Sequence, residues 1–193
     1  TYFQPYFLGR TLLLVAFLLG IFLTAPSYAA ADYPRIFFEM KDARGDDYGC
    51  GKYTYPQNQA FAPHKGLFDL LSFRVWADEE NNIYFDLKFA AMTNPWSAPE
   101  GFIHQFIQIY IDKTAGGSTI PLGRGNRIRF SPSYAWDEAI FGIGWESSKI
   151  YQLTRKQLKR QRICAALQGD GRTVRLTVPI KIIGIPQKSW NYY

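Results

Sequence analysis

Two histidines, two cysteines and two methionines are all that this 193-residue chain holds of the side chains most used for acid–base work, thiolate chemistry or soft-metal ligation. His64 and His104 stand far apart, and neither a G-x-S-x-G elbow nor an H-E-x-x-H pair occurs, so the hydrolase patterns that sequence can reveal are missing. Met40 and Met92 complete no spacing with those histidines that favours haem, and no haem is expected. Glycoside hydrolysis requires two carboxyls roughly 5–9.5 Å apart across a cleft. The acidic pairs here, Asp46/Asp47, Glu79/Glu80 and Asp137/Glu138, are chain neighbours, and neighbours along a strand point to opposite faces. A chain without catalytic machinery is the expectation.

Two further absences bear on architecture. No window sustains a 3.6-residue apolar stripe with caps, which argues against a helical domain. Nor is there an apolar run of the roughly 20 residues needed to cross a bilayer. The stretch Leu12 to Leu23 is shorter, follows Arg10, and gives way to Thr24, Pro26 and Ser27. A positive start, a short apolar segment and a small-residue exit (Ser27 with Ala29, or Ala29 with Ala31) are the layout of a cleavable signal peptide. Residues 1–31 are therefore read as the signal, residues 32–193 as one exported domain, secreted or at the cell surface, with no stable membrane span. The chain starts without Met and stops on the strand-like Trp190-Asn191-Tyr192-Tyr193, so it is expected to continue beyond both ends.

What is present is alternation. Aromatics make up 17% of the chain. Leu71, Phe73 and Val75 share one face of Phe68 to Trp76, and Ile83, Phe85, Leu87 and Phe89 share one face of the next segment. The polar run Asp78 to Asn82 between them predicts a hairpin. Ile103 to Asp112, Asn126 to Phe130, Ala139 to Trp145, Lys149 to Leu153 and Thr173 to Ile180 are further candidate strands, each bounded by turn residues. Thr154 to Leu167 is the one stretch rich in helix formers, yet strands remain the reading throughout. Short strands at such intervals specify an all-β sandwich or barrel.

The formal charge of +6 is concentrated: Lys149, Arg155, Lys156, Lys159, Arg160 and Arg162 supply six positive charges within one stretch. Such a run protects a strand edge from pairing, or contacts an anionic polymer at the cell surface; nucleic acid is not expected for an exported chain. Cys50 and Cys164 would travel to an oxidising compartment, where pairing and separate thiols are both open.

Asp42 to Pro56 reads D-A-R-G-D-D-Y-G-C-G-K-Y-T-Y-P. Asp42, Asp46 and Asp47 beside turn-forming glycines could supply carboxylates to a structural calcium, helped by Asp69 or Asp112. They could equally be an acidic surface turn that caps its own amides. The spacing is not that of an EF-hand.

These residues, followed by G-L-F-D-L-L-S-F-R-V from Gly66, N-P-W at Asn94 to Trp96, Gly101-Phe102, Q-x-I-Q-I-Y-I-D from Gln105, Ala135-Trp136-Asp137 and Gly144-Trp145, closely resemble the C-terminal binding module of glucodextranase. This is a DOMON-like module also appended to amylopullulanases. The resemblance runs from about Ile36 to the last residue. It implies a jelly-roll sandwich related to family 9 carbohydrate-binding modules, and a role in attaching an enzyme to polysaccharide, α-glucan or cell-wall polymer. Cys50, and Ala43 after Asp42, stand where prolines are usual. The alternatives are a structural or adhesion domain contacting protein or S-layer polymer through its basic segment, and an accessory part of a glycosidase whose catalytic domain lies elsewhere.

Sugar recognition needs flat aromatic plates with polar edges, which Trp and Tyr provide. Trp96, in N-P-W-S-A-P, with Tyr134 and Trp136, in S-Y-A-W-D, are the candidate plates. Each has core or loop anchoring as its competing role, and Trp76, Tyr110 and Trp145 are assigned to strands and the core.

Overall fold

In the computed structural model the described residues are 34–48, 54–123, 128–154 and 157–193. The segment read as a signal peptide and Cys50 lie outside them. The described chain forms strands β1 (Arg35–Lys41), β2 (Leu70–Ala77), β3 (Asn82–Phe89), β4 (Ile107–Asp112), β5 (Glu138–Gly142), β6 (Lys149–Leu153), β7 (Leu158–Arg162), β8 (Cys164–Leu167), β9 (Thr173–Pro179) and β10 (Asn191–Tyr192). A single helical turn, α1 (Ile180–Ile183), follows β9. Pairing is antiparallel in two five-stranded sheets, β1-β2-β3-β9-β8 and β10-β4-β5-β6-β7. The all-β sandwich expected from alternation is the fold observed.

The alternation works as the physics requires. Phe73, Val75, Ile83, Phe85, Leu87, Val174, Leu176 and Val178 project inward from the first sheet onto Ile107, Ile109, Ile111, Ile140 and Ile150 of the second. Most are almost wholly buried, and each such side chain contributes about 1.5–3 kcal/mol when taken from water. The β2–β3 hairpin closes on Asp78, whose Oδ1 accepts the amides of Glu80 at 2.9 Å and Asn82 at 3.1 Å, with Asn81 in the left-handed region at φ 62°.

Three local expectations are corrected. Ile128–Phe130, the described part of the candidate strand Asn126 to Phe130, is not a strand; it packs as a loop, and Phe130 lies against Tyr110. The strand expected to reach Trp145 stops at Gly142. Glu100 draws the chain off it, its carboxylate accepting the Trp145 and Glu146 amides, and Trp145 is left 53% exposed in a turn at φ 60°. Trp76 is half-buried rather than a core residue, because it shares the outer face of β2 with Arg74.

The outer face of the second sheet has its own small core of Tyr110, Trp136, Ala139 and Phe141, with Phe130, Leu122 and Tyr151 packed against it. The β7–β8 step at Ile163 carries the chain from the second sheet to the first.

Candidate functional site

Near the start of β2, loops and strand ends bring six rings into one continuous ridge. Trp96 meets Phe61, Phe61 meets His104, His104 meets Phe68, Phe68 meets Tyr55 and Tyr55 meets Tyr48, with centroids 5.2–5.7 Å apart at every step. Edge-to-face and tilted contacts of this kind hold aromatic side chains in place without covering both faces. Trp96, Phe68 and Tyr48 remain 52%, 39% and 50% exposed.

Trp96, Phe61 and the base of the ridge are placed by local chemistry. Pro95 follows Asn94 at the position that favours a turn, and the Ser97 amide returns to the Asn94 carbonyl at 3.2 Å. The Asn94 side chain then clamps Ala98 from both sides, accepting its amide and donating to its carbonyl, each at 2.8 Å. Trp96 is thus carried at the tip of a pinned loop. Phe61 is held by a turn that starts at Asn58, whose carbonyl accepts the amides of Phe61 and Ala62. Gln105, 4% exposed, ties the base of the ridge by donating to the Leu67 carbonyl at 2.8 Å. Burial pushes the His104 imidazole below its ordinary range, against backbone contacts at Leu67 and Thr93 that raise it.

Of the three candidate plates, Trp96 is the one in this ridge. Tyr134 lies on the outer side of the second sheet's small core, 52% exposed and 6.0 Å from the Tyr193 ring. Trp136 offers no face to a ligand: it is 1% exposed, and its Nε1 donates to the Ile120 carbonyl at 3.0 Å. Burial beneath residues 118–122, where it pairs with Ser118 and bonds to Ile120, makes it an anchor. The rest of the ridge, His104, Phe61, Phe68, Tyr55 and Tyr48, went unnoticed in the sequence, where these residues span more than fifty positions and share no period.

The candidate metal ligands separate as well. Asp42 caps the Ala43 amide at 3.0 Å and Asp46 is exposed. Asp47 accepts the Tyr55 hydroxyl and lines a cavity of about 240 Å³ with Asp69, Arg44 and Lys65. Asp69 is 2% exposed; Oδ2 accepts the Gly45 amide at 2.8 Å, and Oδ1 is buried with no partner among the described residues. No group of three His, Cys, Asp or Glu side chains with metal-holding geometry occurs among the described residues.

Asp137, just before β5, and Glu138, its first residue, take different partners: Asp137 caps the Lys113 and Thr114 amides, while Glu138 turns to Lys113 and Gln152. No helix among the described residues is long and apolar enough to cross a membrane. Residues 37–193 match the family model described as the C-terminal binding module, SLH-like, of glucodextranase. No curated protein and no solved structure gives a significant match.

Proposed function

The chain belongs to the family of C-terminal, SLH-like binding modules of glucodextranase, and from that premise we propose that it is a non-catalytic exported module that holds α-glucan or cell-surface polysaccharide on the ridge ending at Trp96. The observation that carries this reading is the run of contiguous rings with three members open to solvent. Exposed apolar patches are costly to display and mark interaction surfaces. Pyranose C–H faces stack on such rings while hydroxyls meet the polar edges. The role is that of an accessory domain that keeps a glycoside hydrolase near its polymer or the cell surface. The basic strand β7 is fully exposed and borders the second sheet, which fits the protection of an open edge.

Affinity electrophoresis through gels containing soluble α-glucan tests the proposal. Wild type should be retarded, free sugar should reverse the retardation, and Trp96→Ala should abolish it while the melting temperature holds. Retention unchanged in that variant overturns the ridge.

A structural calcium belongs to the same proposal. Asp47 and Asp69, rather than Asp42 or Asp46, are the carboxylates that share a cavity, which Arg44 and Lys65 also line, and Asp69 Oδ1, without a partner among the described residues, is the hard oxygen that calcium would take. Millimolar calcium should then raise the melting temperature, because a ligand of the folded state stabilises it. A flat response removes the metal.

A further inference from the structure

The outer face of the first sheet carries a second constellation that uses no residue of the ridge. Strand register lays its side chains in transverse rows. Glu39, Arg74, Asp86 and Arg175 stand opposite one another across β1, β2, β3 and β9. The next row is Lys41, Ser72, Lys88 and Thr173. Both rows line one open trough of about 380 Å³. Four strands at about 4.8 Å spacing make it roughly 14 Å long.

The charges do not cancel evenly along it. Asp86, 6% exposed, is gripped through both oxygens by Arg175, at 2.8 and 3.0 Å, and accepts the Trp76 indole at 2.9 Å. Arg74 reaches the same carboxylate once, at 3.3 Å, with 39% of its side chain exposed. One carboxylate thus faces two guanidiniums; Glu39, across from Arg74 on β1, comes near Lys41 instead, and the trough as a whole sets the four cations Lys41, Arg74, Lys88 and Arg175 against the three carboxylates Glu39, Asp86 and Asp170. Lys88 meets Asp170 at 3.1 Å, whereas Lys41 comes only within 3.9 Å of Glu39 at 81% exposure. An exposed pair of that kind is worth little.

Ser72 lies in the middle of these cations. Lys41 is across from it on β1, Lys88 across from it on β3, and Arg74 two residues along β2 on the same face. Its hydroxyl makes no hydrogen bond among the described residues. A short side chain flanked by three long cationic ones forms a dip where Lys41 and Arg74, held only loosely by Glu39 and Asp86, and Lys88, paired with Asp170, can still turn ammonium and guanidinium donors to a carboxylate, and the lining keeps one positive charge in excess.

The geometry points to this trough as a binding site for an acidic saccharide, with the sugar carboxylate seated over Ser72 between Lys41, Arg74 and Lys88. Hydroxyls of the same sugar fall on Thr173 and the carboxylates of the adjoining row. The ligand class rests on the reading of the chain as a carbohydrate-binding module.

Isothermal titration of the chain with trigalacturonate, with maltotriose as the neutral reference, decides it. Trigalacturonate should bind, weaken as sodium chloride rises, and lose about tenfold in affinity in Lys41→Gln/Arg74→Gln, the loss expected for a charge-assisted hydrogen bond. Ser72→Leu, which fills the dip and keeps every charge, should lose as much. Lys41→Glu, a reversal at an exposed position, should weaken binding even if the double variant does not fold. Trp96→Ala should leave trigalacturonate binding intact, so that failure of the ridge and failure of the trough read out separately. No binding of trigalacturonate, undiminished binding in the Lys41 variants, or a loss produced instead by Lys159→Gln/Arg160→Gln on β7 overturns the site. So does maltotriose binding that falls in step in the same trough variants.

Discussion

Lys113 Nζ donates to Glu138 Oε1 at 3.0 Å and to the Ile183 carbonyl at 2.6 Å, so one ammonium joins the end of β4, the start of β5 and the helical turn α1. Gln152 repeats the arrangement from β6, donating to the same Glu138 oxygen at 2.9 Å and to the Ile182 carbonyl at 2.8 Å. The last carbonyls of α1 are thereby satisfied by side chains of the second sheet, and the Trp190 ring lies under the Lys113 ammonium at 4.3 Å.

Breaking this pair from one side should be expensive. Lys113→Met leaves the Glu138 carboxylate, 5% exposed, without its cation, and a loss of about 3 kcal/mol in urea unfolding is expected. Burial already raises the Glu138 carboxyl above its ordinary range, with Gln152 and Lys113 acting in opposition. A group whose folded pKa is raised favours the fold at acid pH, and that contribution fades as pH rises through the folded value. Glu138→Gln should therefore flatten the stability profile just above the usual carboxylate range, an effect visible in unfolding midpoints taken across that interval.

Tyr192 presents the opposite case. Its ring packs among Phe38, Phe73 and Phe85, and its hydroxyl is buried without a partner among the described residues. Burial raises its pKa far above the ordinary tyrosine value. Tyr192→Phe removes a desolvated donor that nothing compensates, so stability should rise by up to about 1 kcal/mol. Thermal unfolding of the variant checks the sign.

Two tryptophans should divide stability from binding. Trp136→Ala empties a site that is 1% exposed and should cost about 3–5 kcal/mol. Its neighbour Gly117 has φ +96°, and a Cβ there would come within 2.5 Å of the Trp136 carbonyl, so Gly117→Ala should also destabilise. Trp96→Ala, on an exposed loop tip, should shift unfolding by less than about 1 kcal/mol. Denaturation curves set beside glucan retention separate the two roles.

His104 predicts the pH response of the ridge. Burial lowers its imidazole below the ordinary histidine value, so the neutral form prevails above that value and glucan retention should stay constant from about pH 8 down to about pH 6.5. A depressed folded pKa stabilises the fold above the unfolded value, and the contribution is lost as pH falls through the folded one. Melting temperature should therefore decline on further acidification, and less so in His104→Gln.

Much of the fold was legible because strand burial has period two. Phe73 with Val75, and Ile83 with Phe85, Leu87 and Phe89, announced their faces in the chain, and the polar run Asp78 to Asn82 announced the turn between them. The site was less legible. Trp96 could be singled out as a plate in a Pro-flanked loop, but Trp136, its equal by residue type, is a buried anchor. Nothing local distinguishes a tryptophan that roofs a core from one that faces water. Asp69 was seen only as a supplementary ligand, since its burial shows only in the fold, where its Oδ2 takes the amide of Gly45 from twenty-four residues upstream.

From the sequence alone came alternation, the hairpin signals, the basic run and the absence of catalytic patterns, all properties of neighbours in the chain. The tertiary structure decided which residues meet: a ridge of rings from Tyr48 to Trp96, and a serine ringed by cations from three strands. Such encounters depend on strand register and on loops crossing between elements, and those follow from the packing of the whole core rather than from any short stretch of chain.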